Sequence, residues 1–414
     1  VSGRPARPGP GTTFLWRTSL LLFASVVINY VDRSNLSVAA PLLQRELGLT
    51  PTKLGALLSA FFWSYAVCLL VSGWLVDRFN ENWLMAAGFF LWSVTTAATG
   101  LAEGFAGLFG MRLLLGLAES VAFPTYSKIL AVNFSENQRG LANSLIDIGT
   151  KCGPVLATLA GGLFLGRFGW RVCFVGLGVG ALIWLPCWIK WMPRRPARSG
   201  TAARPAPAWR EILARRSAWV TFGGMFCANY FYYFLLTWLP SYLVQERHFS
   251  MRLMGITGTL PFLAAAAGTL AAGTLSYRAL SAGASPTRVR KTCVVAGLGG
   301  AAVIGAVPLI SDARGALAVL SAAALCYGVY ASSHWAITQT LAGAGAVGRW
   351  TGLQSFAGNL AGVGAPLLTG LVVARSGQYF FAFAVTTGVV LTGAGIYHFG
   401  LGKVEAIRWD IRHP

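Results

Sequence analysis

The sequence predicts an all-α polytopic membrane protein, with twelve crossing helices in two pseudo-symmetric six-helix bundles and both termini in the cytoplasm. Three observations predict it. Apolar runs of span length recur along all 414 residues, and each is able to cross a hydrocarbon core about 30 Å thick. Only 11% of the residues are charged, against about a quarter in soluble proteins. The basic residues concentrate on alternate loops, a bias that places those loops and both chain ends on the inner side.

Taken in order, the apolar runs fall near 18–41, 53–73, 82–102, 105–127, 139–165 and 172–192. A second set follows near 217–244, 252–276, 291–310, 315–341, 350–373 and 378–402. The tail over 1–13 is rich in Gly, Pro and Arg and reads as disordered; 403–414 reads as a cytoplasmic tail. The first bundle therefore spans 14–192 and the second 217–402. Between them, KWMPRRPARSGTAARPAPAWREILARR holds many basic residues and one acid, Glu211. Such a stretch buries too little apolar surface to fold alone, so 193–216 reads as a basic cytoplasmic linker. The bundles repeat each other. GWLVDRF (73–79) is echoed by GTLSYRA (273–279), and GGLFLGRFG (161–169) by TGLVVARSG (369–377). Internal repeats of this kind mark secondary transporters whose site lies between the halves at the midplane.

Several function classes fall away. A net charge of +20 would ordinarily raise nucleic acid as a partner, but its loop distribution and the lack of any binding motif point instead to anionic lipid. The seven cysteines lie in or beside apolar runs with no CxxC spacing, and they read as small buried residues with no metal role. Neither HExxH nor GxSxG occurs, so an intramembrane enzyme is not expected. No cofactor is expected beyond protons as coupling ion.

Six ionisable side chains sit deep within the runs: Asp32, Glu119 and Asp147 against Arg33, Arg112 and Lys151. A charge at the centre of a spanning helix costs roughly 2.5–3.5 kcal/mol on insertion scales, so such residues face a bundle interior and mark a solute or proton path. Three of each sign leave no net charge. A neutral set attracts an anion only when one carboxylate takes up a proton and frees a cation, so anion and proton travel together. Asn29, Tyr30 and Arg33 stand at i, i+1 and i+4 on one helical face. A guanidinium clasps a carboxylate through two parallel N–H···O bonds, which lysine does not reproduce. Arg112 and Glu119 stand two turns apart on a shared face, where approach and separation of the pair would switch the acid between states.

NYVDRSNLSVAAP, RLLLGLAESVAFPTY and YYFLLTWLPSYL resemble the anion:cation symporter family of the major facilitator superfamily, and the twelve-span duplicated plan resembles that superfamily over nearly the whole chain. The resemblance implies that Arg33 binds the substrate carboxylate, that Tyr30 helps hold it, that Asp32 is a protonation site and that Arg112 with Glu119 couples protonation to conformational change. In GWLVDRFNENW, Gly73, Asp77 and Arg78 keep the superfamily's loop signature and imply a cytoplasmic latch. NSLIDIGTKCGP departs from the pattern: Asp147 and Lys151 at i, i+4 stand where small or uncharged residues are expected, and Thr150 where sugar-acid carriers often place a longer polar residue. The pair reads either as an ion pair at a wall or as a second anion-binding or proton-linked element.

Further candidates for substrate contact are Tyr65, Tyr233 with its neighbour Tyr232, then Ser332, Ser333, His334 and Trp335, and Gln354, Ser355 and Asn359. The same polar side chains also serve as glue between helices. The function expected is proton-coupled symport of a small organic anion, a carboxylate such as a sugar acid, by a monomer in a bacterial inner membrane. An exporter or exchanger of organic anions or drugs is the alternative.

Overall fold

The computed structural model describes residues 12–134, 136–192 and 207–409. Among them every regular element is helical. The first half contains α1 (Thr12–Leu47), α2 (Pro51–Arg78), α3 (Glu81–Thr99), α4 (Gly104–Glu119), α5 (Ala122–Asn133), α6 (Glu136–Ala181) and α7 (Trp184–Trp191). The short α8 (Trp209–Leu213) precedes α9 (Arg216–Ser241), α10 (Met251–Thr257), α11 (Leu260–Ser281), α12 (Pro286–Ala301), α13 (Ala313–Ala331), α14 (His334–Ser376) and α15 (Phe380–Gly400). The expected tail 1–13 and linker 193–216 lie largely outside the described residues. At the other end, 403–409 packs on the second half: Val404 N donates to Thr287 Oγ1 at 2.9 Å and Ile407 N to Leu341 O at 3.0 Å.

Side-chain caps start several helices where the sequence supplies them. Thr50 accepts from Lys53 N ahead of Pro51, Asn80 accepts from Asn82 N and Trp83 N, and Asp312 accepts from Gly315 N at 2.7 Å. Each occupies an orphan donor of a first turn.

Nine helical stretches among the described residues are long and apolar enough to cross a membrane, against the twelve runs read from sequence. Two causes account for the difference. α3 and α9 are helical over most of their runs, but their Asn, Thr, Tyr and Trp content makes them less apolar. The fifth and sixth runs join into one stretch, Leu145–Trp191, of 47 residues. Gly169 breaks α6 with φ 76° and ψ 164°, and Gly343 breaks α14 in the same way with φ 64°. Only glycine takes this conformation without strain, so the chain turns back there without losing its apolar character.

The halves meet at one end of the molecule, remote from where α1 and α9 begin. Ser37 Oγ donates to Leu236 O at 2.7 Å, and Gln245 Nε2 bonds Gln44 Oε1. Glycines let backbones touch there: a Cβ on Gly162 would stand 2.4 Å from Gly255 Cα, and one on Gly55 2.6 Å from Pro366 O. Small residues permit this approach where lipid offers helices no hydrophobic reason to associate. Toward the termini, Asp147 of α6 keeps half its side chain exposed while its charge reaches His334 and Tyr327 of the second half, which marks a cleft between the halves.

Candidate functional site

The cleft is built on α1, which carries Asn29, Tyr30, Asp32 and Arg33 past α2, α4 and α6. Arg33 Nε donates to Glu119 Oε2 at 2.9 Å, with both side chains almost wholly buried. Asn29 lies beside Glu119. The rings of Tyr30, Phe61 and Tyr65 surround the guanidinium, their centroids 4.9, 4.9 and 4.4 Å from Cζ. Cation–π attraction from three sides holds the charge out of water. Its Nη2, also buried, has no hydrogen-bond partner. An unfilled donor on a buried guanidinium is where an incoming carboxylate gains most.

Arg112 and Glu119 lie within each other's field but are held by different partners. Arg112 Nη1 donates to Asp32 O at 3.1 Å and Nη2 to Arg33 O at 3.3 Å, so Arg112 clamps the α1 backbone beneath the site. Glu119 bonds Arg33, so α1 meets one of the two α4 residues with a side chain and the other with its carbonyls. Asp32 points the other way, against Thr96 of α3, and accepts from Asn35 Nδ2 at 3.4 Å. α4 itself stops at Glu119. The fourth expected run is split there, and Ser120 Oγ meets Ser72 Oγ at 2.7 Å.

From the second half, α9 supplies Tyr233, which packs on Phe62 with ring centroids 4.4 Å apart and donates to Asn359 Oδ1 at 2.8 Å. Neighbouring Tyr232 donates to Thr150 O at 3.3 Å, tying α9 to α6, and stacks on Tyr327 at 5.7 Å. Asp147 and Lys151 form an ion pair on α6; Asp147 is 52% exposed and Lys151 14%. Their charges reach His334, and that of Asp147 reaches Tyr30 and Tyr327. His334 stacks on Tyr330 at 5.0 Å and lies 4.8 Å from Trp335.

Other candidates sit apart. Gln354 is fully buried and accepts from Thr338 Oγ1 at 2.7 Å. Ser332 bonds back to Val329 O and meets Ser333 Oγ at 3.3 Å, where α13 ends, so both hydroxyls serve a helix break. Ser355 is half-buried and its carbonyl accepts from Asn359 Nδ2 at 2.8 Å. In the latch loop the side chain of Asp77 lies outside the described residues, Gly73 is open on its Cβ side, and Arg78 lies over Trp74 at 5.4 Å.

Sequence reasoning missed Phe61, Tyr327, Tyr330 and Lys128. Lys128 of α5 pairs with buried Glu81 at 3.3 Å and donates to Val76 O at the end of α2. A lysine and a glutamate near helix ends were the signal available for that contact. For the aromatic residues, nothing in an apolar run such as SAFFWSY distinguishes the ring that meets a guanidinium.

Charges buried among apolar helices of span length mark a solute or proton path through a membrane protein. The chain belongs to the Major Facilitator Superfamily, whose model matches residues 22–366, and it is an integral membrane protein. It is similar to the hexuronate transporter of Bacillus subtilis (strain 168), 30% identical over 387 residues covering 90% of this chain and 91% of that one. A D-galactonate transporter of Escherichia coli O6:H1 is also 30% identical, covering 94% and 96%. A probable galactarate/D-glucarate transporter of Bacillus subtilis (strain 168) is 27% identical, covering 90% and 88%. Among solved structures, a bacterial homolog to human lysosomal transporter Spinster, inward-facing and occupied, superposes with TM-score 0.81 at 18% identity over 94% of this chain and 97% of that one. That likeness carries the fold alone.

Proposed function

We propose that the protein is a proton-coupled symporter of a small organic carboxylate, working by alternating access between its two halves. The observation that carries this reading is the buried Arg33–Glu119 pair at 2.9 Å, with Arg33 Nη2 left without a partner. While Glu119 is ionised, the pair is neutral and a carboxylate gains little from Arg33. Once Glu119 takes a proton, the guanidinium is free to bind the carboxylate with two parallel bonds. Release reverses both steps, so neither ligand crosses alone. Tyr30 and Tyr65 hold the guanidinium plane, Tyr233 and Asn359 bring in the second half, and Asp32 is a second proton acceptor behind the site.

Twelve crossings with the termini in the cytoplasm would make the parted end of the molecule the cytoplasmic one, as the basic loops on that side favour. Gly73, Asp77 and Arg78 would then latch that face when it closes. Transporters for hexuronate and galactonate among the relatives favour a sugar acid as substrate and a bacterial inner membrane as location.

The test is uptake of labelled D-galactonate and D-glucuronate into proteoliposomes with an acid-outside pH gradient. Accumulation that collapses with a protonophore supports symport. Counterflow that ignores pH in both directions would make the protein an exchanger.

A further inference from the structure

The mechanism above leaves one charged pair unused. Asp147 and Lys151 stand one turn apart on α6, joined through Asp147 Oδ1. Thr150, between them in sequence, gives its carbonyl to Tyr232 of the opposite half. Gly153, half a turn on, lies against Tyr30, where an added Cβ would come within 2.4 Å of the Tyr30 Cβ. Tyr30 itself packs on the Arg33 guanidinium. His334 and Tyr327 of the second half lie within the field of the pair. Asp147 is 52% exposed, so the carboxylate meets water inside the cleft. An ionisable side chain within a spanning helix faces either the bundle interior or a water-filled cavity.

We infer that Asp147 and Lys151 form a second, charge-neutral subsite in the cleft, one that takes the hydroxylated, uncharged end of a singly charged organic acid and turns away a second carboxylate. The inference rests on the carboxylate-binding role proposed for Arg33. The Lys151 ammonium is already neutralised by Asp147, so it offers donors without net charge. Asp147 offers acceptor oxygen to the cleft. Together they present donor and acceptor side by side, which matches a hydroxyl group or a vicinal pair of them. A second carboxylate there would meet the negative edge of Asp147 with no surplus cation to answer it, and like charges set against a wrong ligand are how sites exclude it. Polyhydroxy monoacids are thus separated from the corresponding diacids, which differ only in carrying a carboxylate in place of the far hydroxymethyl group.

The experiment is equilibrium binding to the purified full-length protein with two matched pairs, D-galactonate against galactarate and D-gluconate against D-glucarate. Wild type is expected to bind each monoacid at least tenfold more tightly than its diacid. Asp147→Asn, which keeps shape and removes the negative charge, leaves Lys151 as surplus cation and is expected to cut that preference at least tenfold by raising diacid affinity. Diacids bound as tightly as monoacids by wild type, or an unchanged preference in Asp147→Asn, would overturn the inference. If binding is retained in Arg33→Lys, or no acid of either pair binds wild type, the carboxylate role of Arg33 fails and the second subsite falls with it.

Discussion

Arg33 concentrates three demands on one side chain: it must stay charged, stay dry and stay available. Its charge is held by Glu119 on one edge and by three rings on its faces, while Nη2 remains open. Lysine at this position keeps the charge and loses the fork. Hydrogen bonds to charged groups contribute about 1.5–3 kcal/mol each. Arg33→Lys should therefore weaken substrate binding by ten- to a hundredfold or more while the protein still folds, as checked by calorimetric titration beside gel-filtration profile. Lys128 is a second residue whose removal has a definite outcome. It pairs with Glu81 and donates to the last carbonyls of α2, so Lys128→Met leaves a buried acid and a helix end without their cation. The melting temperature in detergent should fall, by an amount equivalent to about 1.5–3 kcal/mol. An unchanged melting temperature would show the contact to be incidental.

At the scale of elements, closure of the distal end depends on helices that touch through glycine. α6 and α10 approach at Gly162 and Gly255, α2 and α14 at Gly55 and Gly370. A leucine at 162 has no room, so Gly162→Leu should hold the distal end apart. With the native cysteines replaced, a cysteine at Gln44 should then react with a membrane-impermeant maleimide at least tenfold faster than in the parent, and transport should stop. Equal labelling rates would place the closing contact elsewhere. The elements also show what was readable in advance. The helical runs were plain, because lipid demands long apolar stretches whatever their neighbours. The breaks at Gly169 and Gly343 fall in the gaps 166–171 and 342–349 left between those runs, although the helices continue closer to each glycine than the runs do. Arg33, Glu119 and Arg112 stood out as costly charges, but their pairing did not. Arg33 and Glu119 are 86 residues apart, and only the packing of α1 against α4 decides that Glu119 takes the side chain and Arg112 the carbonyls. Tyr232 reaching Thr150 was hidden for the same reason: it depends on how two halves dock.

For the whole molecule, the duplicated plan divides the labour unequally. The first half holds Asp32, Arg33, Arg112, Glu119, Asp147 and Lys151, whereas the second brings uncharged groups near them: Tyr232, Tyr233 with Asn359, and His334. In the proposed cycle charge movement is confined to one bundle, and Tyr232 on Thr150 and Tyr233 on Phe62 link the other to it. A ligand shifts such a two-state system only as far as its affinity differs between the states. In the proposed cycle, contacts of the substrate with both halves would supply that difference. Removing the second-half contact while keeping the charges should separate binding from movement. Tyr233→Phe breaks the bond to Asn359 and is expected to lower the transport rate severalfold with little change in substrate affinity, measured by uptake beside equilibrium binding. Coupling through Glu119 is tested most directly by Glu119→Gln in proteoliposomes. The amide keeps the shape of the acid and cannot take up and release a proton. This variant is expected to exchange labelled for unlabelled substrate across the membrane yet accumulate none under an acid-outside gradient. Gradient-driven accumulation at the wild-type level would contradict coupling through Glu119.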